Sequence, residues 1–377
     1  MSKDERSSSQ RAIIVLRRDP NRNQPSKLSS EGPRQDYDVL SQMLGAPIVS
    51  ADDFDPAKSG PLAARLGKSP FWAATFAALE ASRDVGHIYL TSEDFAFRLV
   101  PLLKLRGWRG KVHVIVHACQ SWRRQAMLRL IGHDLIGSFL TDTSVQAEFL
   151  VRGAGIPAEK VHVYINPIDT TFFDAAHSTL REQEDYVFSC GLENRDYATL
   201  EAVARLSPRQ FRVQASGYFP NLSSDRAGPP ENFDLRKTRV PFERLRDLYA
   251  GSRIVVVPLN DVPYAAGVTG LVEAMSMGKP VIVTGSVGIR DYTHVPSLVV
   301  VPANDPQRMA DEIERLWNSP ELCRQMSADN IEWARANAHV DDYCRWAAAH
   351  MGLTVPQAER EADASWNGQG LSSNSGR

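Results

Sequence analysis

The stretch YAAGVTGLVEAMSMGKPVIV, residues 264–283, decides how the rest of the chain is read. It follows RIVVVP at 253–258, an apolar run without alternation, the pattern of a strand buried on both faces. Small residues, Ala265 to Gly270, then form a loop, and the spacing predicts a helix opening at Leu271. Gly278 stops that helix, with Pro280 two residues on and PVIV at 280–283 as a second buried strand. Strand, small-residue loop, helix, strand is an arrangement that seats an anion. The first amides of a helix have no intrahelical acceptor, and missing side chains let phosphate oxygens approach. Gly267, Val268, Thr269 and Gly270 are the candidates for that seat, and Glu273, one turn in, is placed to reach a ribose carried on the phosphate. The plainer alternative is a doubly wound domain whose loop binds nothing and whose Glu273 faces solvent.

The chain has 377 residues, enough for two domains, with 43% hydrophobic and 23% charged residues, an ordinary globular mix. A net charge of −2 gives no general pull toward nucleic acid, so no nucleic-acid partner is expected. Cys119, Cys190, Cys323 and Cys344 lack metal or redox spacing and suit reduced thiols in a cytoplasmic protein. No apolar run reaches about eighteen residues, so no membrane-spanning helix is expected, and the polar start MSKDERSSSQR is no secretory signal. Residues 1–10 and 356–377 read as disordered tails.

Two series of alternating strands and helices flank a polar linker at 174–185. In the first, AIIVL at 12–16 is a strand and 17–34 a loop whose Arg17 and Arg18 either meet an anionic acceptor or form a solvated corner. Ser69 is expected to cap a helix with Pro70 at its first position, and Ser92 another, with Glu93 and Asp94 serving its positive end or touching an acceptor hydroxyl. KVHVIV at 111–116 is a strand with His117 at its carboxyl end, where open parallel sheets bind ligands. His113, within the strand, reads as structural. SWRRQAMLRLI at 121–131 is an amphipathic basic helix. Trp122, Met127, Leu128 and Leu130 either pack into a core or dock on anionic lipid as a peripheral membrane contact.

The segment GVTGLVEAMSMGKPVIVT resembles the donor-binding segment of GT-B glycosyltransferases, in particular the retaining glycosyltransferase family four. That resemblance implies an α/β fold of two facing Rossmann-like doubly wound domains with a cleft between them. The first, acceptor-side domain would span 11–178 and the second, binding the nucleotide sugar, 184–338, with a helix at 339–352 crossing back. Family members carry two glutamates separated by seven residues, the second on the ribose and the first on the donor sugar. Glu273 matches the second, but Ala265 stands at the first, a departure that leaves retention or inversion open. Donor-sugar contact would then rest near Ala265 and Ala266, with Asp261 a candidate substitute. The resemblance also implies a catalytic-side histidine at His117, diphosphate contacts from Gly191 and Arg195, and base contacts from the backbone near Val240 and Phe242. An arginine suits diphosphate because its planar fork grips two oxygens.

The implied activity is transfer of a hexose-type sugar from a nucleotide-diphosphate sugar to a saccharide or lipid-linked acceptor, without metal or other cofactor. A different class of reading is a degenerate, non-catalytic scaffold of the same fold, favoured by Ala265. A third, an epimerase of a nucleotide-linked amino sugar, needs carboxylates and a histidine gathered in the cleft, and no motif for it is visible. Which sugar, base and acceptor are used does not follow from the residues.

Overall fold

Two parallel sheets, each wrapped by helices, form the molecule; the computed structural model describes residues 11–19, 32–180, 185–215 and 228–355. The expected disordered tails and parts of the loops at 17–34, 174–185 and 217–233 lie outside these residues. The first sheet has the order β2-β1-β3-β4-β5-β6. Its strands are β1 (Ala12–Val15), β2 (Ile48–Val49), β3 (His87–Leu90), β4 (Lys111–Val116), β5 (Ile136–Thr141) and β6 (Val161–Val163). The second has the order β12-β11-β10-β7-β8-β9. It is built from β7 (Tyr186–Cys190), β8 (Gln210–Gln214), β9 (Phe233–Arg236), β10 (Ile254–Val257), β11 (Val281–Thr284) and β12 (Leu298–Val301). Every neighbouring pair is parallel. Strands covered on both faces must be apolar throughout, and IVVV of β10 and VIVT of β11 are buried at every position.

In the second sheet the chain runs outward from β7 through β8 to β9, then returns to β10 on the other side of β7. The crevice between the carboxyl ends of β7 and β10 is therefore the place where strand order reverses and ligands bind. The domains touch directly. Asp291 accepts from Thr143 Oγ1 (2.9 Å) and the Ser144 amide (2.7 Å), and Gln146 Nε2 donates to Pro263 O (2.6 Å). The helix Val340–His350 returns to the first domain, where Val340, Tyr343, Cys344 and Ala347 join a core with Ile14, Leu40 and Tyr89.

Several local expectations are corrected. The helix Val268–Ser276 starts three residues before Leu271, placing Thr269 and Gly270 in its first turn. Helix Pro70–Ala81 does begin at Pro70, but the Ser69 side chain makes no capping bond. Residues 144–153 are α-helical only over Ser144–Glu148 and continue as a wider π turn. Helix Pro61–Leu66 and strand β9 were not foreseen; the first is short and the second is partly exposed, so neither shows a strong apolar period. In helix Trp122–Ile131 core packing holds for Leu128, buried together with Ile131, but not for Trp122 and Leu130, which are 72% and 86% exposed. Arg17 lies 5.7 Å over the Phe71 ring, so it packs as well as carries charge.

Tyr343 is buried and its hydroxyl meets that of Tyr89 at 3.0 Å, joining the last helix to the first sheet. Tyr343→Ala is expected to destabilise the protein by about 3–5 kcal/mol, as for other buried aromatics. Urea denaturation checks this, and a change within ±0.5 kcal/mol would show that the helix is not anchored there.

Candidate functional site

At the end of β7 the chain turns sharply through Gly191, whose φ of +106° excludes most side chains. The turn folds over Arg195. That guanidinium is buried, with Nε donating to Cys190 O (3.0 Å) and Nη1 to Glu193 O (3.0 Å). A Cβ on Gly191 would sit 2.4 Å from Arg195 Nη2, and one on Gly270 3.5 Å from it. The two glycines thus leave that nitrogen bare on both sides. It is therefore not a surface arginine at a helix start.

From β10 the chain reaches Gly267, which begins the next helix at φ +85°. An added Cβ there would meet Leu259 Cδ2 at 2.6 Å and Arg195 Nη1 at 2.9 Å. The first backbone bond of the helix runs from the Leu271 amide to Gly267 O (3.0 Å). The amides of Val268, Thr269 and Gly270 therefore have no intrahelical acceptor, and the glycine cap supplies no side chain in their place. They present the positive end of the helix beside Arg195.

Glu273 is buried one turn on, and Tyr249 donates from its hydroxyl to Oε2 (2.9 Å). Burial pushes the carboxyl up to about 7, against the pull of the Tyr249 bond and the Arg195 charge. The solvent-facing alternative for Glu273 is thus set aside. A cavity of about 350 Å³ opens over these groups. Gly191, Arg195, Thr269, Gly270 and Glu273 line one part, Val240 and Phe242 another. The size is that of a small-molecule site. Arg239, also on this wall with its guanidinium 6.0 Å over the Phe242 ring, was missed by sequence reasoning. Its position just before a helix on the same loop as Val240 was the available signal.

Other expected residues fall elsewhere. Asp261 is exposed, and its Oδ1 accepts from the Val287 amide (2.9 Å) and Ser286 Oγ (3.3 Å), which leaves its other oxygen outside these bonds. Ala265 is half-buried and Ala266 buried, both packed in the second-domain core. On the opposite domain, His117 is exposed and Nε2 lies 3.1 Å from Thr91 O. A carbonyl only accepts, so Nε2 is the donor in that bond. Glu93 neither merely serves the dipole nor waits for an acceptor. It is buried, takes the amides of His117 (3.2 Å) and Ala118 (3.3 Å), and pairs with Arg124. It thereby fixes the loop that presents His117. His113 is the buried, structural neighbour expected, bonded to His87 (3.0 Å) and Ser138 (2.8 Å).

Residues 194–319 match the family model of glycosyl transferases group 1. No curated protein matches the chain. Among solved structures it is similar to sucrose-phosphate synthase from Thermosynechococcus elongatus, with TM-score 0.64 and 15% identity over 90% of this chain and 97% of that one. It is also similar to HepE from Anabaena in complex with UDP, with TM-score 0.63 and 14% identity over 84% and 89%. A glycosyltransferase from Rickettsia africae gives TM-score 0.59 and 13% identity over 91% and 98%. At such identities the likeness is one of fold, and the fold is GT-B.

The buried Glu273 makes a stability prediction. Its carboxyl holds a proton to about pH 7 when folded, against 4.5 for the ordinary group. The folded chain therefore binds more protons than the unfolded one in that window, so this stabilisation is full below about pH 4.5 and is lost as pH rises through about 7. Glu273→Gln, which keeps the Tyr249 bond, removes the effect. It is expected to raise stability at pH 8 by about 2–3 kcal/mol relative to its effect at pH 5. Thermal melts of both proteins across that range check it, and parallel curves would refute it.

Proposed function

We propose that this chain of GT-B fold, with a group 1 glycosyl transferase segment in its second domain, moves a hexose-type sugar from a nucleotide-diphosphate sugar to a saccharide or lipid-linked acceptor. The observation that carries the reading is one cavity lined by Thr269 and Gly270, whose amides have no intrahelical acceptor, together with the Arg195 guanidinium and the Glu273 carboxyl. The diphosphate lies on the amides and Arg195, the ribose hydroxyls reach Glu273, and the base lies along Val240 and Phe242. The HepE structures with UDP, UDP-glucose and glucose support a nucleotide-sugar donor for this fold.

In the transfer, the bond from the sugar's anomeric carbon to the diphosphate oxygen breaks, and its electron pair goes to that oxygen. The acceptor hydroxyl oxygen bonds to the anomeric carbon, and its proton passes to the departing diphosphate, giving retention. The helix terminus and Arg195 stabilise the growing negative charge without calling on a metal. Gly191, Arg195 and Gly267 to Gly270 are fixed by backbone geometry before the ligand arrives, so little reorganisation opposes the step. His117 faces the sugar from the other domain. The competing reading, a non-catalytic nucleotide-binding scaffold, is favoured by the apolar Ala265. Release of nucleoside diphosphate that depends on a sugar acceptor separates the two.

The acceptor's setting follows from helix Trp122–Ile131. Trp122 and Leu130 face outward at 72% and 86% exposure, with Met127 at 42%. Arg123 and Arg129 flank them, and WRRQAMLRLI contains no acidic residue. An apolar strip between cations fits an anionic lipid surface, with rings and aliphatic chains entering the interface and guanidiniums meeting headgroups. A lipid-linked acceptor is presented on such a surface. The four free thiols suit its cytoplasmic side.

Two measurements test this. Calorimetric titration with UDP-, GDP- and ADP-sugars is expected to show one preferred nucleotide. Arg195→Ala should weaken it roughly 10- to 100-fold, the loss of about 1.5–3 kcal/mol for a charged hydrogen bond. Absence of nucleotide binding by the native protein, with melting confirming its fold, overturns the proposal. Sedimentation with phosphatidylcholine vesicles, with and without phosphatidylglycerol, is expected to show binding only to the anionic ones. Replacing Arg123 and Arg129 by Ala should weaken it by about 2 kcal/mol. Equal binding to both vesicles, or to neither, refutes the membrane contact.

A further inference from the structure

Several side chains reach across the junction of the two domains. Asp291 accepts from Thr143 Oγ1 and the Ser144 amide, Arg290 donates to Ser144 Oγ (2.8 Å) and pairs with Glu148, and the Tyr292 hydroxyl accepts the Asn166 amide. None of these contacts touches the turn at 117–120. Gln146 differs. Its Oε1 accepts the Cys119 amide (2.6 Å), and its Nε2 donates to Pro263 O (2.6 Å). One fully buried side-chain amide therefore joins a loop of the first domain to a loop of the second.

Each of those loops leads to a wall of the cleft. Cys119 stands two residues after His117, in the turn that follows β4. That turn is gripped along its length. Glu93 takes the His117 and Ala118 amides, Arg124 donates to Ala118 O (3.1 Å), and Gln125 donates to Cys119 O and Gln120 O, both at 3.2 Å. These partners belong to the first domain, and the Cys119 amide is where the grip passes through Gln146 to the second. Pro263 stands four residues before Gly267, the cap of the helix whose first amides lie beside Arg195. The bridge requires an amide side chain. A backbone N–H only donates and a carbonyl only accepts, so the group between them must accept at one atom and donate at the other. Glutamate, of the same size, would set a carboxylate against the Pro263 oxygen, and methionine would make neither bond.

We infer that Gln146 is a positioning residue of the transfer step, holding the His117 turn at a set distance from the loop that leads into Gly267. The inference rests on the sugar-transfer reading above. Gln146 itself touches no substrate. It keeps the two walls in register, so that a sugar whose diphosphate is seated at Thr269, Gly270 and Arg195 meets His117 instead of falling short of it. A displacement of about 1 Å at a reacting group can lower a rate about 100-fold. Loss of the bridge therefore shows in turnover and not in nucleotide affinity, because the cavity that takes the nucleotide is lined by second-domain residues.

Gln146→Met and Gln146→Glu are compared with the native full-length protein, with thermal melts to confirm that each is folded. The readings are the calorimetric Kd of the preferred nucleoside diphosphate, and kcat and donor KM for its release from the sugar conjugate with glucose, or water alone, as acceptor. Both variants are expected to lose about 10- to 100-fold in kcat, with Kd and donor KM within about twofold of native. Arg290→Ala cuts a domain contact that leaves the 117–120 turn alone, and is expected to lose less than about fivefold, as for other exposed ion pairs. Added to His117→Ala, Gln146→Met is expected to cost little more, because both act at one group. Native-like kcat in Gln146→Glu, losses that multiply with His117→Ala, or an equal loss in Arg290→Ala shows that Gln146 only packs the junction, and the inference is overturned. A parallel fall in diphosphate affinity has the same meaning. Native protein that binds no nucleoside diphosphate, or releases none, refutes the transferase reading instead, a different result from turnover indifferent to Gln146.

Discussion

Three backbone amides with no intrahelical acceptor at the start of the Val268–Ser276 helix are the feature on which the second domain depends. A helix could hide them under a serine or aspartate cap, as Asp305 does for the helix Pro306–Trp317. Here the cap is Gly267, at a φ of +85° that few other residues adopt. The same glycine makes room for Arg195, and Gly191 and Gly270 make room for it from two further sides. Placing a guanidinium next to a helix N-terminus is unfavourable in isolation, because both are positive. Carbonyls of Cys190 and Glu193 offset part of that cost, and an anion between the two would offset the rest.

The site is also tied to the domain junction. Asn166, where the chain leaves the first sheet, gives its amide to Tyr292 (2.9 Å) and sets its side chain 3.4 Å from Thr269 Oγ1. The crossing segment then buries Ile168 and Phe173 in the second-domain core. Ser276, at the far end of the same helix, donates to Phe173 O (2.7 Å). The helix that carries the amides and Glu273 is thus held at both ends by the chain joining the two halves. A change in domain angle would be felt at Thr269, and a ligand there would bias that angle, which is how closure over a donor can exclude water.

Much of this was legible in the sequence because it is local. Unbroken apolar runs marked β10 and β11, and glycines marked the turns at 191 and 267. Glu273, Gly191 and Arg195, spread over some eighty residues, were brought together by a family resemblance rather than by any period in the chain. What escaped is non-local. Thr269 and Gly270 read as loop because neither favours a helix interior, yet a first turn tolerates both. Glu93 read as a dipole carboxylate, while its partners, His117 and Arg124, lie 24 and 31 residues away. Trp122 and Leu130 fit an amphipathic pattern, but a pattern does not say which face the domain covers.

The two walls of the cleft differ in charge, and that difference decides how a nucleotide sugar can lie. The second-domain wall offers a helix N-terminus with Arg195 and Arg239. The first-domain edge carries Asp142 and Glu93, with Glu193 of the second domain close enough to raise the Asp142 carboxyl. A ligand with a doubly charged diphosphate at one end and a neutral ring at the other has one favourable orientation. Reversed, each phosphate charge brought to 4 Å from a carboxylate would cost about 4 kcal/mol at an effective dielectric near 20. Such a penalty exceeds what one sugar hydroxyl could recover with the arginines, since an ordinary hydrogen bond nets about 1 kcal/mol. Orientation is therefore imposed by electrostatics before any contact specific to one sugar is made.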